Sequence, residues 1–127
     1  MNQLSNLSIT LRQRPIGIPN SDNFSLTSSP VGEIEENQIL IKVIYLSLDP
    51  YMRGRMSDVK SYAEPLKIGE IITAESAGIV IQSKSEKFQP GDYVCCRSGW
   101  QEYFISNDKD PMTYKVCLLY TSDAADD

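Results

Sequence analysis

The sequence contains no histidine. That absence removes the usual general base for a serine or cysteine nucleophile, and also the commonest zinc ligand. Cysteine is scarce. Cys95, Cys96 and Cys117 form an adjacent pair and an outlier, which matches neither a disulfide framework nor a zinc-finger spacing. Glycines are not clustered: the nearest two, Gly91 and Gly99, lie eight positions apart. A loop that cradles phosphates needs them closer, so no nucleotide-binding loop is present. No run approaches the roughly 20 apolar residues that cross a bilayer. The opening Met1–Leu7 lacks the basic and apolar regions of a secretory signal. A cytoplasmic protein without a membrane partner is expected. An excess of basic charge is missing too. The net charge is −5, and Asp123, Asp126 and Asp127 supply three of the negatives. Without residues 117–127 the balance is 12 basic against 14 acidic residues. Neither figure suits a nucleic-acid partner, which would need a basic face to displace counterions.

What is present fits one globular domain: 127 residues, 41% apolar and 23% charged. Leu7, Ile9 and Leu11 alternate with polar residues, as in a half-buried strand. Pro15, Gly17, Pro19 and Asn20-Ser21-Asp22 break it into a loop. Phe24 and Leu26 form a short second strand, and residues 32–37 a solvated turn. Gln38 to Ser47 is β-branched and nearly all apolar, which predicts a central, well-covered strand. Asp49-Pro50 suits a helix start, with Gly54 limiting that helix to a turn or two. Ile71-Ile72 and Ser76 to Ile81 resume strand character, Gly78 marking a bulge or a close backbone approach. Gln89-Pro90-Gly91-Asp92 is a tight turn, and Trp100 to Ile105 a further strand. Six or seven short strands with one short helix predict a mainly β, barrel-like domain.

Residues 117–127 continue none of these patterns. Cys117 to Asp126 matches the translation of a transposon-type sequencing-library adapter, ten residues in one frame. The expectation is that native sequence runs to about Val116; a genuine acidic tail is the alternative.

The residues permit little classical chemistry. Cys95 and Cys96 read as small residues near a strand end rather than as ligands or a redox pair. No carboxylate pair stands out for glycoside chemistry. There remains Leu46-Ser47-Leu48-Asp49-Pro50-Tyr51-Met52-Arg53-Gly54-Arg55-Met56. A tyrosine on a short turn after a buried strand can present its phenol at a cleft edge. With an ordinary pKa near 10, it would be a neutral donor to an oxygen that becomes negative during reaction. Equally, Tyr51 could be a packing residue with a wet hydroxyl.

The segment from Tyr45 to Asp58 resembles the NADPH-dependent alkenal, curcumin and prostaglandin reductases, a zinc-independent branch of the medium-chain dehydrogenase/reductase superfamily. Phe88-Gln89-Pro90-Gly91-Asp92-Tyr93-Val94 resembles that superfamily's proline-glycine-aspartate turn. Ser98-Gly99-Trp100-Gln101-Glu102-Tyr103 resembles the strand that follows in the bacterial curcumin-reductase type. The likeness covers about residues 7–116. It implies a GroES-like, partly open β-barrel catalytic domain, incomplete here, with NADPH bound mainly by a Rossmann domain that this chain does not contain. Zinc-using relatives carry Gly-His-Glu where this chain reads Thr73-Ala74-Glu75, and their cysteine ligand position falls near Asp49-Pro50-Tyr51. The resemblance therefore implies no metal.

The implied reaction is hydride delivery to the β-carbon of an enone or alkenal, the growing enolate oxygen being held by Tyr51 as catalytic donor, by the cofactor's ribose hydroxyl, or by both. Tyr51, Pro50 and Met52 would contact this small-molecule substrate, and Pro50 and Tyr51 the cofactor. Pro50, Met52 and Arg53 would shape the cleft or its domain contact, and Arg53 and Arg55 could equally be solvated positions on the turn. A homodimer of the full-length protein is compatible with the resemblance, and the 127-residue chain alone is expected to be inactive. The rival reading is a non-catalytic GroES-like binding or structural module.

Overall fold

The computed structural model describes residues 4–48, 51–56 and 65–116. Seven strands and one short helix follow in order: β1 Ser5–Leu11, β2 Phe24–Pro30, β3 Gln38–Leu46, α1 Tyr51–Arg55, β4 Ser76–Ser83, β5 Tyr93–Cys96, β6 Tyr103–Asn107 and β7 Tyr114–Lys115. β1 and β2 form an antiparallel hairpin, and the other five strands form a sheet in the order β6-β3-β4-β5-β7.

Irregular segments join the two sheets through backbone hydrogen bonds. The Ile9 N–H donates to the Trp100 carbonyl at 2.8 Å, the Trp100 N–H to Ile72 at 2.8 Å, and the Ile72 N–H to Ile9 at 3.0 Å. Leu11 and Glu102 extend this seam, donating to the carbonyls of Glu70 and Leu7. β1 thus pairs directly with residues 100–102 through Leu7 to Ile9 and with segment 69–72 through Ile9 to Leu11, and these contacts curl the two sheets into a partly open barrel. Phe24 packs on Trp100 across the seam, ring centroids 5.7 Å apart.

Two expected strands change shape here, for one reason. Ile71-Ile72 is no strand but an isolated bridge to Thr10, because Ile72 spends its backbone groups on two different neighbours. β6 begins at Tyr103, three residues later than expected. Gly99, at φ 74°, bends the chain first. A side chain at 99 would meet the Ile72 carbonyl oxygen at 2.8 Å. The loop of Asn20-Ser21-Asp22 contains a 3-10 turn, Ser21–Asn23, closed by reciprocal Asn20 and Asn23 side-chain bonds. β7 had no sequence signal; two residues carry too little pattern to read.

β3 is central, as its composition predicts, lying between β4 and β6. It is well covered only in its first half. Ile39, Leu40 and Ile41 are at most 1% exposed, whereas Ile44, Tyr45 and Leu46 are 48%, 73% and 40% exposed. The β6 pairing ends at Lys42, and past the Val43 N–H, which donates to the Glu102 carbonyl at 2.7 Å, the strand is paired with β4 alone. Val43, Ile44 and Leu46 there face Leu7 and Leu26 across an open groove of about 330 Å³. Gly78 marks the closest backbone approach. A Cβ there would overlap the Lys42 carbonyl oxygen, next to the register shift between Val43 and Tyr45.

Buried residues form two groups. Ile39, Ile41, Val80, Phe88, Val94 and Cys96 pack in the five-stranded sheet. Leu11, Met52, Met56, Leu66, Ile72 and Ala74 pack beneath α1.

Candidate active site

Five residues are too few for a helix to persist by its own hydrogen bonds, so α1 must be held by its surroundings. Met52 and Met56, one turn apart, share a face. Both are 4% exposed and seated in the apolar group beneath the helix. Three arginines fix the remaining sides. Arg53 donates from Nε to the Gly17 carbonyl at 3.0 Å and from Nη2 to the Pro15 carbonyl at 3.1 Å. Arg55 donates to the Thr73 hydroxyl at 2.9 Å, and Arg14 to the Met56 carbonyl at 3.0 Å. Arg53 and Arg55 are therefore half-buried structural ties rather than solvated charges.

Tyr51 opens this helix. Its side chain, and all of Asp49 and Pro50, lie outside the described residues. The chain still bounds its place. Ser47 donates its N–H to the Glu75 carbonyl at 2.9 Å and lines a cleft of about 320 Å³. Four residues span at most about 14 Å, so the Tyr51 Cα lies within that distance of Ser47. Of the residues expected to meet substrate, Met52 is placed in the core beneath the helix.

Strand pairing builds the cleft. Tyr45 pairs with Ala77, Ala77 with Cys95, and Cys95 with Tyr114, so four residues distant in sequence stand in one row. Cross-strand partners share a face. The row sets two small residues between two exposed tyrosines, with Glu75 and Arg97 on the lining. Behind it, Ser76, Cys96 and Ser98 are buried and mutually satisfied. The Ser76 and Ser98 hydroxyls are 2.7 Å apart, the Ser76 Oγ lies 3.3 Å from the Cys96 sulfur, and Ser98 donates to the Gly99 carbonyl.

Burial pushes the Cys96 thiol above its ordinary value of 9.0, outweighing the Ser76 hydrogen bond that pulls it down. A protonated, buried thiol is a poor nucleophile. The Tyr114 phenol is also raised, by its hydrogen bond to Cys95 and by that sulfur's charge. Both shifts leave the Cys96 thiol and the Tyr114 phenol as neutral donors beside Glu75 and Arg97 on the cleft lining. No group of three or more potential metal ligands occurs among the described residues. Ala74 puts a methyl group into the apolar core, 3% exposed.

Sequence reading found the helix and its tyrosine but not the cleft row, because nothing local links residues 45, 77, 95 and 114. The ties of Arg14 and Arg53 were equally hidden: their acceptors are backbone carbonyls, which any residue supplies.

The family described as the N-terminal domain of oxidoreductase matches residues 8–114. This chain belongs to that family. It is similar to the NADPH-dependent curcumin reductase of Escherichia coli (strain K12), 45% identical over 100 residues, covering 79% of this chain and 29% of that protein. The 2-alkenal reductase (NADP(+)-dependent) of Nicotiana tabacum is 33% identical over 131 residues, covering 92% and 38%. The crystal structure of CurA from Vibrio vulnificus superposes with a TM-score of 0.81 at 43% identity, covering 87% of this chain and 32% of that one. The same protein in complex with NADPH gives 0.79. The chain therefore spans about a third of the length of these relatives. Within the oxidoreductase family it falls in the NADPH-dependent reductase branch of the medium-chain dehydrogenases/reductases, and its mainly β, open-sheeted fold is the GroES-like one.

Proposed function

We propose that the complete protein is an NADPH-dependent reductase of the carbon–carbon double bond in α,β-unsaturated ketones and aldehydes. The observation that carries the reading is the family match over residues 8–114, which includes Tyr51 and the helix it opens. When bound, NADPH supplies a hydride. This chain has no glycine-clustered loop to hold the cofactor's phosphates, so their binding belongs to sequence beyond the portion the relatives share with it. Its own contribution is to the reacting end.

There, Tyr51 donates its phenolic proton in a hydrogen bond to the carbonyl oxygen that gains charge as the β-carbon is reduced. A fixed neutral donor at that point stabilises the transition state more than the ground state, which is what lowers a barrier. Pro50 and Tyr51 border both substrate and nicotinamide, and Met52 shapes the site from behind by anchoring α1. No zinc takes part: the chain has no histidine and carries alanine at position 74. The partner is a small molecule, the location cytoplasmic, and a homodimer is compatible with the reading. Residues 117–127, proposed to be adapter-derived, lie outside the described residues.

The test is turnover of an enone by the full-length gene product, followed by NADPH absorbance, against Tyr51→Phe. The variant is expected to lose about 10²-fold in kcat. Unchanged turnover removes Tyr51 from the mechanism. Failure of the unaltered protein to consume NADPH with any enone or alkenal would favour a non-catalytic module instead.

A further inference from the structure

We propose that Arg53 is a positioning residue for the reaction, setting the location of Tyr51 by tying α1 to the loop between β1 and β2. The inference rests on the enone-reductase reading above. Its basis is geometric. The guanidinium reaches two carbonyls of one loop, Pro15 and Gly17, through two different nitrogens, Nε at 3.0 Å and Nη2 at 3.1 Å. Two donors held in one rigid plane fix orientation as well as distance, which a single-point ammonium cannot do.

Arg53 stands two residues after Tyr51 on a helix of five residues. Met52 and Met56 hold that helix from one side only, and methionine is an adaptable anchor that tolerates sliding. The arginine supplies the directional constraint that the methionines lack. The loop it grips buries Pro15 but carries Ile16 and Ile18 99% and 89% exposed, so beyond Pro15 its tip offers no apolar packing to secure the helix. Without the fork, α1 keeps its apolar seat and the ties of Arg14 and Arg55 at its C-terminal end, but its first turn, which carries Tyr51, can shift. A displacement near 1 Å at a catalytic group can cost about 10²-fold in rate.

The experiment is a double-mutant cycle in the full-length protein: Arg53→Lys, Tyr51→Phe and both together, with kcat and KM for an enone and a melting temperature for each. Arg53→Lys keeps the charge and removes the fork. The expected result is a fall of about 10-fold or more in kcat, with KM for NADPH within about twofold of the unaltered enzyme. In the Tyr51→Phe background, the same change is expected to alter kcat by no more than about twofold, because it acts through the phenol that is already gone.

Multiplying effects in the cycle, or a kcat for Arg53→Lys equal to the unaltered enzyme, would overturn the proposal while leaving the reductase reading intact. An unaltered enzyme without enone turnover would instead remove the reading on which it rests. Should Arg53→Lys not fold, Arg53→Gln takes its place in the cycle. If neither folds, Arg53 serves stability rather than positioning, and the proposal is wrong.

Discussion

The two apolar groups of this domain are built on opposite principles. The sheet group draws Ile39, Ile41, Val80, Val94 and Cys96 from three adjacent strands, and only Phe88 from a turn. β-branched side chains are stiff at χ1, and the ladder beneath them satisfies the backbone. The group under α1 takes only Leu11 from a strand. The rest come from the helix, the residue after it and irregular segments, and two of the six are methionines. Its backbone groups are satisfied one at a time, the Met56 carbonyl by Arg14, and Arg53 and Arg55 tie the helix to neighbouring segments. The comparison teaches where precision comes from in a small β domain. The sheet is rigid by repetition, whereas the part that carries the chemistry is held by individual ties.

The strongest way to break that comparison is to cut equally deep into both groups. Ile41→Ala and Met52→Ala each remove a buried side chain and are expected to cost about 2–5 kcal/mol in denaturant unfolding. Their effects on kcat should differ. Ile41→Ala leaves turnover per folded molecule within about twofold, because the sites are separate. Met52→Ala lowers it by about tenfold, because the helix loses its anchor. Equal effects on kcat would mean that the two groups act as one core.

A smaller effect sharpens the description of the sheet interior. The Cys96 thiol is raised in the folded state, so the unfolded chain loses its proton first as pH rises. Stability is then full below the ordinary thiol value and falls as pH climbs toward the raised one. Between about pH 8 and 10, unfolding free energy should decline more steeply in the unaltered protein than in Cys96→Ala. Parallel slopes would show that Cys96 is no more shielded folded than unfolded.

The smallest expected change is at the far end of β3. Ile44 has the composition of a core residue but is 48% exposed. In this chain, Ile44→Thr should shift stability by no more than about 0.5 kcal/mol. A loss as large as that of Ile41→Ala would show that the second half of the strand is packed after all.

Much of this was legible in the sequence. The alternation in Leu7, Ile9 and Leu11, the β-branched run from Ile39 and the Gln89–Asp92 turn each report a local physical preference, and each formed where expected. The turn closes with the Gln89 N–H donating to the Asp92 carboxylate at 2.8 Å. What escaped is long-range. The start of β6 moved because Gly99 must pass the Ile72 backbone, and Ile71-Ile72 failed as a strand because its partners lie on separate elements. Arg53 gave no sign of its role, since a guanidinium in a turn looks the same whether it meets water or two carbonyls.

By itself, then, the sequence determined a histidine-free, mainly β domain with one short helix that carries a tyrosine, because composition and period are properties of neighbouring residues. Only tertiary structure decided which half of β3 is covered, which residues stand in the cleft row and what holds the helix. Those outcomes depend on register and on backbone groups common to every residue, and no residue type announces them.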